Sequence, residues 1–287
     1  PPLDGREQEI TLALQAELQQ AVALDGPLSF SRFMQMALYH PTLGYYRNGA
    51  IKFGADGDFV TAPEMTSAFS RALAGQCEAV LSELDSPCLL EFGAGSGRMA
   101  VDILLELQRR DALPRQYYIL ELSAELAERQ RALLAEHFPD YKRYVTWLTA
   151  LPVDFEGVVL ANEVLDAMPV TKFRYTDNQL MEMRVDWQEG RGAWREVLFQ
   201  DAGVVSQIKQ LPIDSTSCYE SELNLHVGPW MKALSQSLSK AVVLLIDYGY
   251  SQQEYYHPGR NQGTIMCHYR QRVHSDPLWM PGIQDIT

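Results

Sequence analysis

Glu91, Gly93, Gly95 and Gly97 form the spacing E-x-G-x-G-x-G within Leu89–Met99, which reads Leu-Leu-Glu-Phe-Gly-Ala-Gly-Ser-Gly-Arg-Met. The residues before the glycines have the signature of a buried strand and those after it of a helix. The glycines, with Ala94 among them, therefore fall in a strand-to-helix turn. Glycine permits φ > 0 and carries no Cβ to hold a ligand off the backbone. A dinucleotide fingerprint, G-x-G-x-x-G, would need glycine where Arg98 stands. The shorter spacing suits a cofactor whose adenosine and amino-acid ends lie against bare backbone, with no pyrophosphate to cradle. S-adenosylmethionine is of that kind. An ionised carboxylate ending a buried strand needs a partner, and the cofactor's ammonium or a nearby backbone N–H would serve Glu91. The plainer reading of the glycines alone is a tight turn in any doubly wound protein.

Glu121 and Leu122 close the second predicted strand, 117–122. An acid there is placed to accept both hydroxyls of a ribose, although it would equally cap the helix that follows. The segment Leu160-Ala-Asn-Glu-Val-Leu-Asp-Ala-Met-Pro169 brings Asn162 and Glu163 to the end of a further apolar strand, where open α/β sheets place their ligands. Asp166 follows on the same side if a helical turn begins there. Two acids in that position could orient a cationic nucleophile or take its proton, or could merely serve the turn as solvated caps. In Gly57-Asp-Phe-Val-Thr-Ala-Pro-Glu64, residues Thr61, Ala62, Pro63 and Glu64 fit a capping box. The N–H groups of such a helix start could meet a ligand carboxylate, but spacing alone supports only a well-capped helix.

These residues need a scaffold, and the periodicity supplies one. Amphipathic helices are predicted over 6–24, with Ile10, Leu14, Leu18 and Val22 on one stripe, and over 31–39. An irregular loop over 53–58 precedes a helix from Thr61 to about Leu84. Strands over 88–92, 117–122, 144–147 and 157–161 alternate with helices over 98–109 and 124–137, which implies a parallel sheet covered on both faces. Between 170 and 199 the period falls to two, as in an antiparallel meander inserted into the core. A helix over 229–238 and an apolar strand over 241–247, expected to be central, follow, and a short strand over 264–268 comes last. The expected fold class is α/β, a Rossmann-like, doubly wound, mostly parallel sheet. Its expected divisions are N-terminal helices and a cofactor-covering loop over 1–84, a core over 85–169 and 220–287, and a β insertion over 170–219.

The formal charge of −13 argues against non-specific nucleic-acid binding but would attract a basic protein substrate. Four scattered cysteines without a C-x-x-C suit a reducing compartment. The longest apolar run is too short to span a bilayer and no targeting pattern is visible, so a cytoplasmic protein is expected. Cys267, His268 and His274 match no zinc spacing, and no metal is expected.

Six ordered segments resemble the MidA-like family of class I methyltransferases: 33–46, 57–64, 91–97, 162–170, Ile246-Asp-Tyr-Gly249 and Gly263-Thr-Ile-Met-Cys-His-Tyr-Arg270. The resemblance covers nearly the whole chain. It implies a seven-stranded methyltransferase sheet, S-adenosylmethionine as cofactor, and methylation of a protein arginine on a respiratory complex I subunit. It also implies that Thr61, Ala62, Pro63 and Glu64 wall the cofactor pocket, with Glu64, Glu163 and Asp166 facing a cationic acceptor. Family members run on past the position of Thr287, so C-terminal strands and part of the substrate site are expected beyond it. The family often has His-Asp after the tryptophan matching Trp147; here Leu148-Thr149 follow, and the polar contact of that pair is not expected. The alternatives are a methyltransferase fold kept as an assembly chaperone, a small-molecule methyltransferase, and a nicotinamide oxidoreductase, which Arg98 opposes.

Overall fold

The computed structural model describes residues 3–48, 61–176, 179–213 and 218–287. The predicted loop 53–58 and the Gly57–Val60 part of the fourth motif lie outside the described residues. The chain divides into two compact units. One holds the described parts of 49–166 and 228–247; the other holds those of 1–48, 167–227 and 248–287. The chain thus leaves the first unit after Asp166 and returns to it for one helix and one strand. Residues 62–81 accordingly lie with the parallel sheet, and 248–287 with the N-terminal helices.

In the first unit a five-stranded parallel sheet has the order Leu238–Ile246, Phe155–Asn162, Cys88–Phe92, Gln116–Leu120, Val145–Leu148. The chain enters at Cys88–Phe92, winds outward to Val145–Leu148, then crosses to the other side of its first strand. The strand order therefore reverses between Cys88–Phe92 and Phe155–Asn162, where α/β sheets open a ligand crevice. Register levels the ends: Phe92 pairs with both Leu120 and Ala161, so Gly93, Glu121 and Asn162 emerge at one edge.

Both faces are buried, as continuous apolar runs in parallel strands require. Leu89, Tyr117, Ile119, Val158 and Leu160 pack with Ala74, Cys77, Ile103 and Leu134 of the helices Ser67–Leu81, Arg98–Arg109 and Ala124–His137. Leu90, Phe92, Val159 and Ala161 pack with Trp230 and Leu234 of Val227–Ser237 on the other face. A Cβ on Gly157 (φ 149°) would stand 1.8 Å from the Cys88 carbonyl oxygen, so only glycine allows these two strands to pair as they do.

Two expectations need correcting. The helix predicted from Thr61 to Leu84 is two helices, Ala62–Met65 and Ser67–Leu81. Thr66, in extended conformation, ends the first and caps the second by accepting from the Ala68 N–H at 3.2 Å. The Thr61 side chain makes no capping bond among the described residues. The strand expected to be central is an edge among the described residues, pairing only with Phe155–Asn162. Its Val242 and Leu245 are each 39% exposed, because an apolar run alone does not tell a central strand from an edge one.

In the second unit the meander is broader than the period-two stretch. Thr171–Thr176, Gln179–Gln188 and Arg191–Leu198 are joined by Leu28–Ser29 on one side and Tyr219–Leu223 on the other. An unforeseen helix, Ala202–Lys209, is capped by the Asp201 carboxylate, which accepts from the N–H groups of Gly203 and Val204. The last predicted strand lies at Cys267–Tyr269.

Candidate active site

The turn is left-handed at each of its three glycines, with φ of 58°, 54° and 89° at Gly93, Gly95 and Gly97. Gly93 and Gly97 do different work. A Cβ on Gly93 would meet nothing within 4 Å, so bare backbone there faces open space. A Cβ on Gly97 would stand 3.2–3.3 Å from Gln130, so that glycine lets the two helices approach. Ala94 is buried, and its carbonyl accepts from the Gly97 N–H at 2.8 Å. Ser96 donates to the Glu64 carboxylate, which ties the helix Ala62–Met65 to the turn. Glu64 is therefore engaged by Ser96, and Pro63 is buried beside it in the chain.

Among the described residues Glu91 meets a side chain and no backbone N–H. It alternates with Leu90 and so points into the helical layer, 1% exposed, where the Tyr117 hydroxyl donates to it at 2.7 Å. Burial pushes its carboxyl up to about 7; the Tyr117 bond opposes this and the nearby Glu121 charge adds to it. Burial, with the Glu91 charge, also pushes the Cys77 thiol up to about 12, which leaves it inert near neutrality.

Glu121 stands where the expected ribose acid should be, half-buried at the end of Gln116–Leu120. One carboxylate oxygen accepts from the Ser123 N–H and the other from the Gln130 side-chain amide, each at 2.9 Å. Ser123 caps the following helix with its own hydroxyl, so Glu121 is not the helix cap. An ionised carboxylate has about four acceptor sites, so this grip is compatible with sugar hydroxyls. Leu122 is 57% exposed next to it.

At the neighbouring strand end, Glu163 is held at φ 51°, an uncommon conformation for a non-glycine residue. Its N–H donates to the Ile246 carbonyl at 2.8 Å, and its carboxylate accepts from the Asn162 amide at 3.3 Å. The Ala62 N–H also bonds it, which brings the Thr61–Glu64 segment to this strand end. Burial raises the Glu163 pKa; the Asn162 bond works against this and the Asp247 charge with it. The Asp247 carboxylate accepts from the N–H groups of Leu165 at 2.8 Å and Asp166 at 3.1 Å, gripping the turn that carries both candidate acids.

Open backbone at Gly93, a fixed carboxylate at Glu121 and acids at the adjoining strand end fit an adenosyl cofactor with a cationic acceptor. Sequence reasoning missed Tyr117, Gln130 and Asp247 as parts of this arrangement. Asp247 carried the same signal as Glu121, an acid ending an apolar strand, whereas Tyr117 and Gln130 carried none. Among the described residues no group of His, Cys, Asp and Glu is arranged to hold a metal ion.

A family model described as "Putative S-adenosyl-L-methionine-dependent methyltransferase" matches residues 72–287. Among curated proteins, the protein arginine methyltransferase NDUFAF7 homolog, mitochondrial, of Drosophila melanogaster is 28% identical over 303 residues, covering 96% of this chain and 67% of its own. The Bos taurus protein arginine methyltransferase NDUFAF7 is 29% identical, covering 91% of this chain and 63% of its own. The chain thus spans about two thirds of the length of these curated relatives. A crystal structure of a Burkholderia thailandensis protein bound to S-adenosyl-homocysteine superposes with a TM-score of 0.95 at 37% identity, covering 100% of this chain and 75% of that one. A second structure from the same organism gives a TM-score of 0.92 at 36% identity, covering 100% of this chain and 74% of that one.

Proposed function

Because the chain belongs to the MidA-like family of S-adenosylmethionine-dependent methyltransferases, we propose that it methylates an arginine side chain of a protein, held by the acids that end Phe155–Asn162. The observation that carries this reading is the grip on that strand end. Glu163 and Asp166 sit on one turn whose backbone Asp247 clamps, beside the bare backbone of Gly93. A guanidinium is planar and cationic and pairs with carboxylates in fixed geometry, so a rigid pair of acids can aim one nitrogen.

The cofactor, when bound, supplies a methyl group on a sulfonium that an in-line nucleophile can displace. Gly93 admits its amino-acid end against the backbone, and Glu121 accepts the ribose hydroxyls. Glu163 and Asp166 orient the acceptor guanidinium, and Glu64 adds negative charge next to the glycine turn. With the acceptor nitrogen held in line by these acids, its attack on that methyl would form the N–C bond while the electrons of the C–S bond leave with sulfur. The methylated guanidinium then sheds one proton, which Glu163 accepts, its raised pKa bringing it closer to neutrality for that task. Positioning and exclusion of water supply most of the rate, since the displacement needs no covalent help.

The acceptor protein is a respiratory complex I subunit on this reading, and the four free thiols suit reaction in the reducing cytoplasm. The test uses trideuteromethyl-labelled cofactor with a lysate of cells lacking the gene, read by mass spectrometry. Label on an arginine of a complex I subunit is expected. Label only on lysine, on a carboxylate or on small molecules overturns the arginine assignment, as does no label from a preparation that binds S-adenosylhomocysteine.

A further inference from the structure

Gln130 is fully buried on the helix Ala124–His137, and every polar atom of its side chain is used. Its amide nitrogen donates to the Gly95 carbonyl at 3.0 Å and to Glu121 at 2.9 Å. Its amide oxygen accepts from the indole N–H of Trp147 at 2.8 Å. The partners decide which way the amide faces: turned over, it would set an oxygen against a carbonyl and a carboxylate, and two N–H groups against a third. One side chain thus joins the glycine turn after Cys88–Phe92, the acid after Gln116–Leu120, and the strand Val145–Leu148.

We propose that Gln130 is a positioning residue for the cofactor site, aiming the Glu121 carboxylate at the ribose and setting its distance from the glycine turn. The inference rests on the reading that Glu121 accepts the ribose hydroxyls. The architecture around the amide serves that task. Gly97 lacks the Cβ that would stand 3.2 Å from the Gln130 backbone, so the helix lies close enough for the amide to reach Gly95. Trp147, the anchor on the far side, is covered by the Arg131 guanidinium 4.4 Å from its ring centroid. Glu121 is then gripped at both oxygens, by Ser123 and by Gln130, which fixes the plane of the carboxylate. A hydrophobic residue of the same volume would fill the space but leave the Gly95 carbonyl and the Trp147 N–H without this partner, and would remove one of the hydrogen bonds that orient Glu121.

Calorimetry with S-adenosylhomocysteine and its 2′-deoxy analogue separates this role from packing. Wild type should bind the parent compound about tenfold or more tightly than the analogue, as expected for a hydrogen bond to a charged group. Gln130→Met should weaken the parent about tenfold, change the analogue little and so close the gap. Gln130→Glu keeps the shape and the acceptor for Trp147 but opposes Glu121 with a second charge, and it should close the gap too. Glu121→Gln should close it in either background, and adding Gln130→Met to it should cost little more. No gap in wild type overturns the ribose reading of Glu121. A gap that persists in a folded Gln130 variant overturns the positioning role while leaving that reading intact. Failure of both Gln130 variants to fold, judged by circular dichroism, also overturns it, since Gln130 would then be structural.

Discussion

Glu91→Gln should remove a pH-dependent loss of stability that the native carboxyl imposes. In the folded chain that group titrates at about 7, raised from 4.5. Between those values the folded chain holds a proton on Glu91 that the unfolded chain has released. Stability therefore falls as pH rises from 4.5 toward 7, and stays lowered above it. At about 1.4 kcal/mol per pH unit across that interval, the loss is about 3 kcal/mol. Glutamine keeps the shape and can still accept from the Tyr117 hydroxyl, but it has no charge to bury. Urea unfolding followed by circular dichroism, at steps from pH 4.5 to 8, gives the free energy of each protein. Other titrations are shared, so the difference between the two isolates position 91. The variant should gain on wild type by about 3 kcal/mol over the interval. A difference that stays flat, or that moves in wild type's favour as pH rises, refutes the claim that an unpaired carboxyl is buried against Tyr117.

Three further substitutions test other parts of the structure. Gly93→Ala places a methyl group into open space and should weaken S-adenosylhomocysteine binding about tenfold with a stability loss of about 1 kcal/mol, whereas Gly97→Ala should lose more stability because its Cβ meets Gln130 at 3.2 Å. Calorimetry and urea unfolding on both variants read the contrast, which equal effects would contradict. Asp247→Ala frees the Leu165 and Asp166 N–H groups and should slow methyl transfer about tenfold or more while leaving S-adenosylhomocysteine affinity within about threefold. In the other unit, Lys172→Met leaves the Glu222 carboxylate, 2% exposed, without its cation and should cost about 3–5 kcal/mol in urea unfolding.

The sequence made much of the parallel core legible because the strands over 116–120, 155–162 and 238–246 carry apolar runs that end at Glu121, Asn162 and Asp247. Cys88–Phe92 and Arg98–Arg109 fall where the pattern put them, and the Ser123 cap starts its helix as expected. Capping chemistry failed at Thr61, where the pattern was present but Glu64 was claimed by Ser96, a partner distant in sequence. The strands Leu28–Ser29 and Tyr219–Leu223 join the meander through pairings that no local pattern announces. In the candidate site the same divide recurs. Acids at strand ends declare themselves, as Glu121 and Glu163 do, whereas the Tyr117 hydroxyl that meets Glu91 comes from a separate strand that no local pattern couples to it. Gln130 lies inside an ordinary helical stretch, and its three partners come from three separate segments.

A crystal structure of this chain with S-adenosylhomocysteine tests the central claim most directly. Both ribose hydroxyls should lie within hydrogen-bond distance of the Glu121 carboxylate, with the amino-acid end running past the bare backbone of Gly93. Ribose hydroxyls held by other residues, with Glu121 turned away and Gly93 uncovered, would contradict it.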